Sequence, residues 1–169
     1  LLEDDVKKPR FSFYTPGRVC AAFIHDSSAA ASKWVYSHEY GRHILENFTD
    51  GQVRTLSYEN VRTDGEVDQA VEDAVRRGAN VIFTTTPKLL LSSVRQAALH
   101  PDVKILNCSL NTSYPSVRTY YPRLYGAKFI KGAIAGTLTR DGCIGYVADY
   151  PTYGSIASIN AFAQGARMV

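Results

Sequence analysis

Apolar and polar positions along this chain switch repeatedly between a short and a long period. Residues 19–25 (VCAAFIH) form an apolar run of strand length, closed by the polar turn Asp26-Ser27-Ser28. Beyond it, Trp34, His38, Gly41, Leu45 and Phe48 recur at spacings of four, three, four and three, which predicts a helix with these residues inward and Asp50-Gly51 at its end. Residues 52–59 alternate as a second strand. Val67, Ala70, Val71, Ala74 and Val75 make an apolar stripe over residues 63–77, stopped by Gly78. Residues 80–86 (NVIFTTT) read as the third strand, 89–99 as a helix, 103–109 as the fourth strand and 117–121 as a short fifth. A helix over 125–138, a sixth strand over 143–149 and a last helix over 156–167 complete the pattern.

Strands and helices that alternate with short connections imply parallel strands, right-handed crossovers and helices on both faces. The fold class is therefore α/β, a doubly wound, flavodoxin-like parallel sheet. In this class ligands bind beyond the carboxyl ends of the strands, where strand order reverses. With the order 2-1-3-4-5 that point lies between strands one and three, which singles out residues 25–34 and 84–88. Residues 1–18 stand apart: an acidic start and then KKPRFSFYTPG, rich in prolines and aromatics but without a period, read as an extended arm or linker.

Composition narrows the function classes. The chain has 169 residues, 45% hydrophobic and 21% charged, a globular composition that excludes disorder, collagen-like repeats and a coiled coil. A formal charge of +3, with no run of five basic residues, gives no case for a nucleic-acid partner. No window approaches a membrane span, and Leu1-Leu2-Glu3-Asp4-Asp5 does not open like a signal peptide, so any targeting signal of the parent protein is expected outside this sequence. The three cysteines, Cys20, Cys108 and Cys143, each sit in an apolar run and read as buried free thiols, with no ligand spacing for a metal. All twelve glycines are isolated, so no phosphate-cradling loop exists, and neither HExxH nor GxSxG occurs. No catalytic residue, metal or cofactor is expected. Gly132 and Gly136, four apart, predict close helix packing in a soluble setting, since Lys128 and Lys131 share the helix.

Three places could bind a ligand. Trp34, the only tryptophan, lies in the first turn of the first helix, where an indole is either core or a platform for a flat ligand. The run Thr84-Thr85-Thr86 ends strand three; threonines make good strands, and at a switch point the last hydroxyls could equally hold a polar ligand edge. Ser109, Asn111, Thr112 and Ser113 after strand four form a similar polar loop, which turn chemistry explains about as well.

The order of segments resembles the basic membrane protein family of solute-binding lipoproteins, relatives of the type I periplasmic binding proteins. The resemblance runs from Val19 to the end, about nine tenths of the chain. Its carriers are WVYSHEYGR from Trp34, YENV from Tyr58, VIFTT from Val81, AALHPDVK from Ala97, TYYPR from Thr119, GAIAG from Gly132, IGYVA from Ile144 and INAFAQGA from Ile159. It implies a non-enzymatic, two-lobed protein that closes on a purine-like nucleobase or nucleoside and serves an ABC importer permease outside the cytoplasm, held by a lipid anchor beyond this sequence. Residues 19–123 would form lobe one, the N-terminal lobe, and 124–169 the first helix, strand and helix of lobe two. Trp34 would stack on the base, joined by Ser27, Ser28, Thr85, Thr86, Asn111 and Arg123. Relatives place an acidic residue just before the tryptophan, where this sequence has Ala29-Ala30-Ala31, and many place a glutamate where it has Gly126. Asp26 is the carboxylate left to reach the first place. A ligand-sensing regulatory domain without a transport role is the alternative. The apolar faces of 124–169 are expected either to add a sixth strand to the sheet or to pair with a second chain in a homodimer.

Overall fold

The computed structural model describes residues 18–109, 114–148 and 153–169. Its elements are β1 (Val19–Ile24), α1 (Lys33–Phe48), β2 (Val53–Tyr58), α2 (Asp64–Arg76), β3 (Val81–Thr84), α3 (Leu90–Leu99), β4 (Lys104–Cys108), β5 (Val117–Tyr120), α4 (Tyr125–Leu138) and α5 (Tyr153–Met168). A 3-10 turn over Pro87–Leu89 leads into α3. The strands make one parallel sheet in the order β2-β1-β3-β4-β5, as expected, with the reversal between β1 and β3.

The two faces of the sheet differ in chemistry. Cys20, Ala22 and Ile24 of β1, with Ile82 and Ile105 beside them, join Val67, Val71 and Ala74 of α2 in the main core. Val67, Val71 and Ile82 are fully buried or nearly so, and such branched aliphatic side chains contribute about 1.5–3 kcal/mol each over exposure. A complete capping box fixes the start of α2: the Thr63 side chain accepts from the Glu66 N–H, and the Glu66 carboxylate accepts from the Thr63 N–H. Thr63→Ala is expected to cost about 1 kcal/mol in a urea titration, since it strands one of the free amide donors of the first turn.

On the opposite face α1 lies against β2, and its inward stripe is not the expected one. Val35 is buried, and Glu39 and Arg42 are mostly buried, whereas Phe48 is 87% exposed. The β1–β2 surface below carries Thr55, Ser57 and His25, so hydrogen-bonding demand turns a polar stripe of the helix inward. Toward β3 and β5 the same face is aromatic. Phe23 stacks on Phe83 with centroids 4.9 Å apart, and Tyr120 meets Phe83 edge-on at 5.8 Å.

Two other expectations are corrected. Residues 143–148 form no strand: a strand exists through pairing, and among the described residues no strand lies alongside them, leaving Val147 97% exposed. The sheet therefore gains no sixth strand among the described residues, and Asp149 lies outside them. Cys143, in that same segment, is exposed; Cys20 and Cys108 are buried, and all three are free thiols. Gly132 and Gly136 do pack closely, with α5 as their partner: a Cβ on Gly132 would lie 2.0 Å from the Phe162 carbonyl oxygen. No described helix is long and apolar enough to cross a membrane.

Candidate functional site

The loops that follow β1, β2 and β3 meet at the carboxyl edge of the sheet. The turn after β1 closes on itself, with the Ala31 and Ser32 amides donating to the Ser28 carbonyl at 3.1 and 3.0 Å. Ser32 then caps α1 by accepting from the Val35 N–H. Contacts across the strand order tie this turn down: the Glu59 carboxylate accepts the Ala29 N–H at 2.9 Å, Arg62 donates to the Asp26 carbonyl at 3.3 Å, and Lys88 pairs with the Asp26 carboxylate at 3.3 Å. The switch point is thus closed by polar bonds between loops that are distant in sequence.

Trp34 stands at its rim. The indole N–H donates to the Thr85 carbonyl at 2.7 Å, the His38 ring meets the indole edge-on at 5.0 Å, and Tyr121 lies 5.9 Å away at a tilt of 31°. His38 is itself held to the Trp34 carbonyl at 2.9 Å. With its single donor used by the protein, the indole offers a ligand only its π surface. Trp34 and His38 also line a groove of about 680 Å³ with Phe83, Tyr120 and Pro122. On β4, beside Tyr120, burial pushes the Cys108 thiol up to about 11, which leaves it protonated and unreactive.

Beneath the rim lies a charged network. His25, fully buried at the end of β1, contacts the Thr85 hydroxyl through Nδ1 at 2.8 Å and the Glu39 carboxylate through Nε2 at 2.9 Å. Arg42 clamps the same carboxylate with contacts of 2.8, 3.0 and 3.1 Å, and Ser57 donates to it at 2.9 Å. Burial opposes ionisation of Glu39, but the hydrogen bonds from Arg42, His25 and Ser57 outweigh it and hold its pKa at about 2. Desolvation lowers the pKa of His25 below its ordinary value, with Glu39 pulling the other way. A second buried group, Asn107 on β4, donates to the Thr84 hydroxyl at 2.8 Å and the Thr86 carbonyl at 2.9 Å, shaping the end of β3.

The residues expected to bind ligand fall into three groups. Asp26, Ser27, Ser28 and Trp34 share the partly exposed turn and helix start, with Ser27 donating to Asp26 at 3.4 Å. Thr85 and Thr86 are buried, and their hydroxyls serve the fold: Thr85 contacts His25 and the Ile24 carbonyl, and Thr86 caps the 3-10 turn. Both hydroxyls are engaged by the chain itself where the backbone turns out of β3. Arg123 is exposed beyond β5, and Asn111 lies outside the described residues. The sequence reading missed His25, Glu39, Glu59 and Asn107. For Glu39 a signal existed, since Val35, Glu39, Arg42 and Glu46 recur at four, three and four; Glu59 gave none, because its contact with Ala29 spans thirty positions.

Fold and edge together are those of a doubly wound, flavodoxin-like α/β lobe whose loops gather at the switch point. No family model matches the chain. It is similar to a purine-binding protein of Brucella abortus, 27% identical over 147 residues that cover 87% of this chain and 42% of the relative. A protein of Haloferax volcanii, named for glucose binding in an ABC transporter, is 26% identical over 89% of the chain and 38% of its own length. Among solved structures, an ABC transporter solute-binding protein from Conexibacter woesei aligns with a TM-score of 0.64 at 14% identity, covering 89% of this chain and 50% of that one. A transcriptional activator of the comK gene from Bacillus halodurans aligns at 0.63 and 15%, over 88% and 49%. These relatives bear out the resemblance to the basic membrane protein type of binding protein, and the chain spans half or less of their lengths.

Proposed function

We propose that the chain supplies the first lobe of a non-catalytic solute-binding protein that delivers a nucleobase or nucleoside to an ABC importer outside the cytoplasm. Residues 19–123 form that lobe, and 124–169 begin the second. The observation that carries this reading is the pose of Trp34, whose indole N–H is tied to the Thr85 carbonyl at 2.7 Å at the switch point. A pinned, donor-less aromatic surface suits stacking on a flat, π-rich ligand. Asp26, Ser27, Ser28, Asn111 and Arg123 would supply the polar contacts. The purine-binding relative supports the ligand class. Full affinity belongs to the closed two-lobed protein, because closure adds the second wall and selects the ligand by its differential affinity for that state. The permease as partner, a lipid anchor on the parent protein and a second copy meeting the exposed Ile130, Ile134 and Leu138 of α4 belong to the same proposal.

The experiment is a fluorescence titration of this chain with adenine, guanine, adenosine, inosine and glucose. Trp34 is its only indole, so purines are expected to quench the emission saturably and weakly, and glucose not at all. Trp34→Phe should abolish the signal. No response to any base, or a response to glucose alone, would exclude the purine reading. A regulatory sensor without a transport role is a second reading, favoured by the fold shared with the comK activator. Association of the full-length protein with DNA instead of a permease would select it.

A further inference from the structure

We infer that His25 is the positioning residue of the ligand platform: through the Thr85 hydroxyl it fixes the carbonyl that holds the Trp34 indole. The inference rests on the reading of Trp34 as the surface that meets the ligand. His25 is rigid at the backbone, its N–H donating to the Tyr58 carbonyl and its carbonyl accepting from the Val61 N–H, both at 2.9 Å. Its ring bridges Glu39 and Thr85 with no exposed surface. An ionised carboxylate only accepts, so Nε2 carries the hydrogen in the contact with Glu39. In the neutral ring Nδ1 is then an acceptor and takes the Thr85 hydroxyl proton at 2.8 Å. The competing acceptor, the Ile24 carbonyl, is farther at 3.2 Å and already takes the Thr85 N–H at 3.0 Å. The order of contacts is therefore Arg42 on Glu39, Glu39 on His25, His25 on Thr85 and Thr85 on Trp34. Every member before Trp34 is buried or nearly so, and none needs to touch ligand.

Protonating His25 would turn Nδ1 into a donor and reverse the hydrogen bond to Thr85. The groups that face the ring and set this titration are Glu39 and His38 from α1 and Glu59 from the end of β2, with Arg42 holding Glu39 ionised. The platform is thus tied to pH through a residue behind it.

The test uses the sole tryptophan of the chain, whose emission maximum and acrylamide quenching report the platform without any ligand. Far-UV circular dichroism checks folding. His25→Gln keeps an amide for Glu39 but nothing for Thr85, whereas His25→Asn places an acceptor at the Nδ1 position. His25→Gln and Thr85→Val are expected to red-shift the emission and raise quenching, and His25→Asn to stay near wild type. In the wild type the emission should shift as pH falls below the ordinary histidine range, and Thr85→Val should remove that shift. Where the wild type binds a purine, the two disruptive variants should weaken it about three- to tenfold, the net worth of one hydrogen bond. If folded His25→Gln and Thr85→Val both keep wild-type emission, or His25→Asn and His25→Gln behave alike, the positioning role is overturned. Should the histidine variants not fold, Thr85→Val alone decides by the same criterion. A wild type that ignores purines while His25→Gln and Thr85→Val still shift Trp34 overturns the platform reading and leaves the contact order standing.

Discussion

Glu39→Ala is expected to destabilise the protein by about 3–5 kcal/mol, the usual cost of removing one partner from a buried ion pair. Glu39 and Arg42 are each only 12% exposed, and the carboxylate takes hydrogen bonds from Arg42, His25 and Ser57 at once. Its loss leaves the guanidinium without its main counter-charge and the His25 Nε2–H without an acceptor. Glu39→Gln retains an acceptor oxygen and should cost less, while Arg42→Ala should match Glu39→Ala, because it leaves the carboxylate with only neutral partners. Urea unfolding of the three variants checks the ranking, and equal costs for Glu39→Gln and Glu39→Ala would show that charge is not what the network uses.

The same network sets the response to acid. The folded pKa of His25 lies below 6.5, so below that pH the unfolded chain binds a proton that the folded one refuses. Its contribution is present in full above pH 6.5 and is lost as pH falls through the window down to the folded value. Glu39, held at about 2 against an ordinary 4.5, adds stability that is present above pH 4.5 and lost as pH falls toward 2. Stability should therefore decline in two steps on acidification. His25→Asn should remove the upper step and shrink the lower one, since Glu39 loses the His25 hydrogen bond but keeps Arg42 and Ser57, as read from urea midpoints between pH 7 and pH 3.

Periodicity made the sheet legible and left the site half hidden, for one physical reason. The α2 stripe of Val67, Ala70, Val71 and Ala74 was readable because apolar burial follows helical spacing directly. On α1 the same rule selected the face of Trp34, His38 and Phe48, one position away from the true inward stripe of Val35, Glu39 and Arg42. That helix covers polar groups of β1 and β2, so its buried residues are polar, and an apolar-inward rule misplaces them. Trp34 was legible as a lone indole at a switch point. The Thr85 carbonyl that holds it and the Glu59 carboxylate that pins Ala29 depend on strand order and loop path, which no local pattern states. The segment 143–148 shows the converse: its apolar pattern suits a strand, yet a strand needs a neighbour, and neighbours are not a property of the segment.

Gly165→Ala is expected to force α4 and α5 apart while the sheet stays folded. A Cβ at Gly165 would sit 2.0 Å from the Phe129 carbonyl oxygen and 2.9 Å from the Ala133 nitrogen, and one at Gly132 would meet the Phe162 carbonyl just as closely. These are backbone atoms of the facing helix, so no side chain can rotate away and the whole helix must move. Overpacking of a well-packed contact costs about 1–3 kcal/mol, and a backbone clash belongs at the upper end of that range or above it. Gly41→Ala is the control: it lies in the interior of α1 with nothing within 4 Å, and alanine there should add about 0.5–1 kcal/mol of helix stability. Hydrogen exchange resolves the outcome by region. Protection should fall across residues 125–138 and 153–168 in Gly165→Ala and stay unchanged in β1, β3 and β4, because the contacts of these glycines run between the two helices and not to the sheet. A loss of protection spread through the sheet as well would mean that the helix pair and the sheet unfold as one unit.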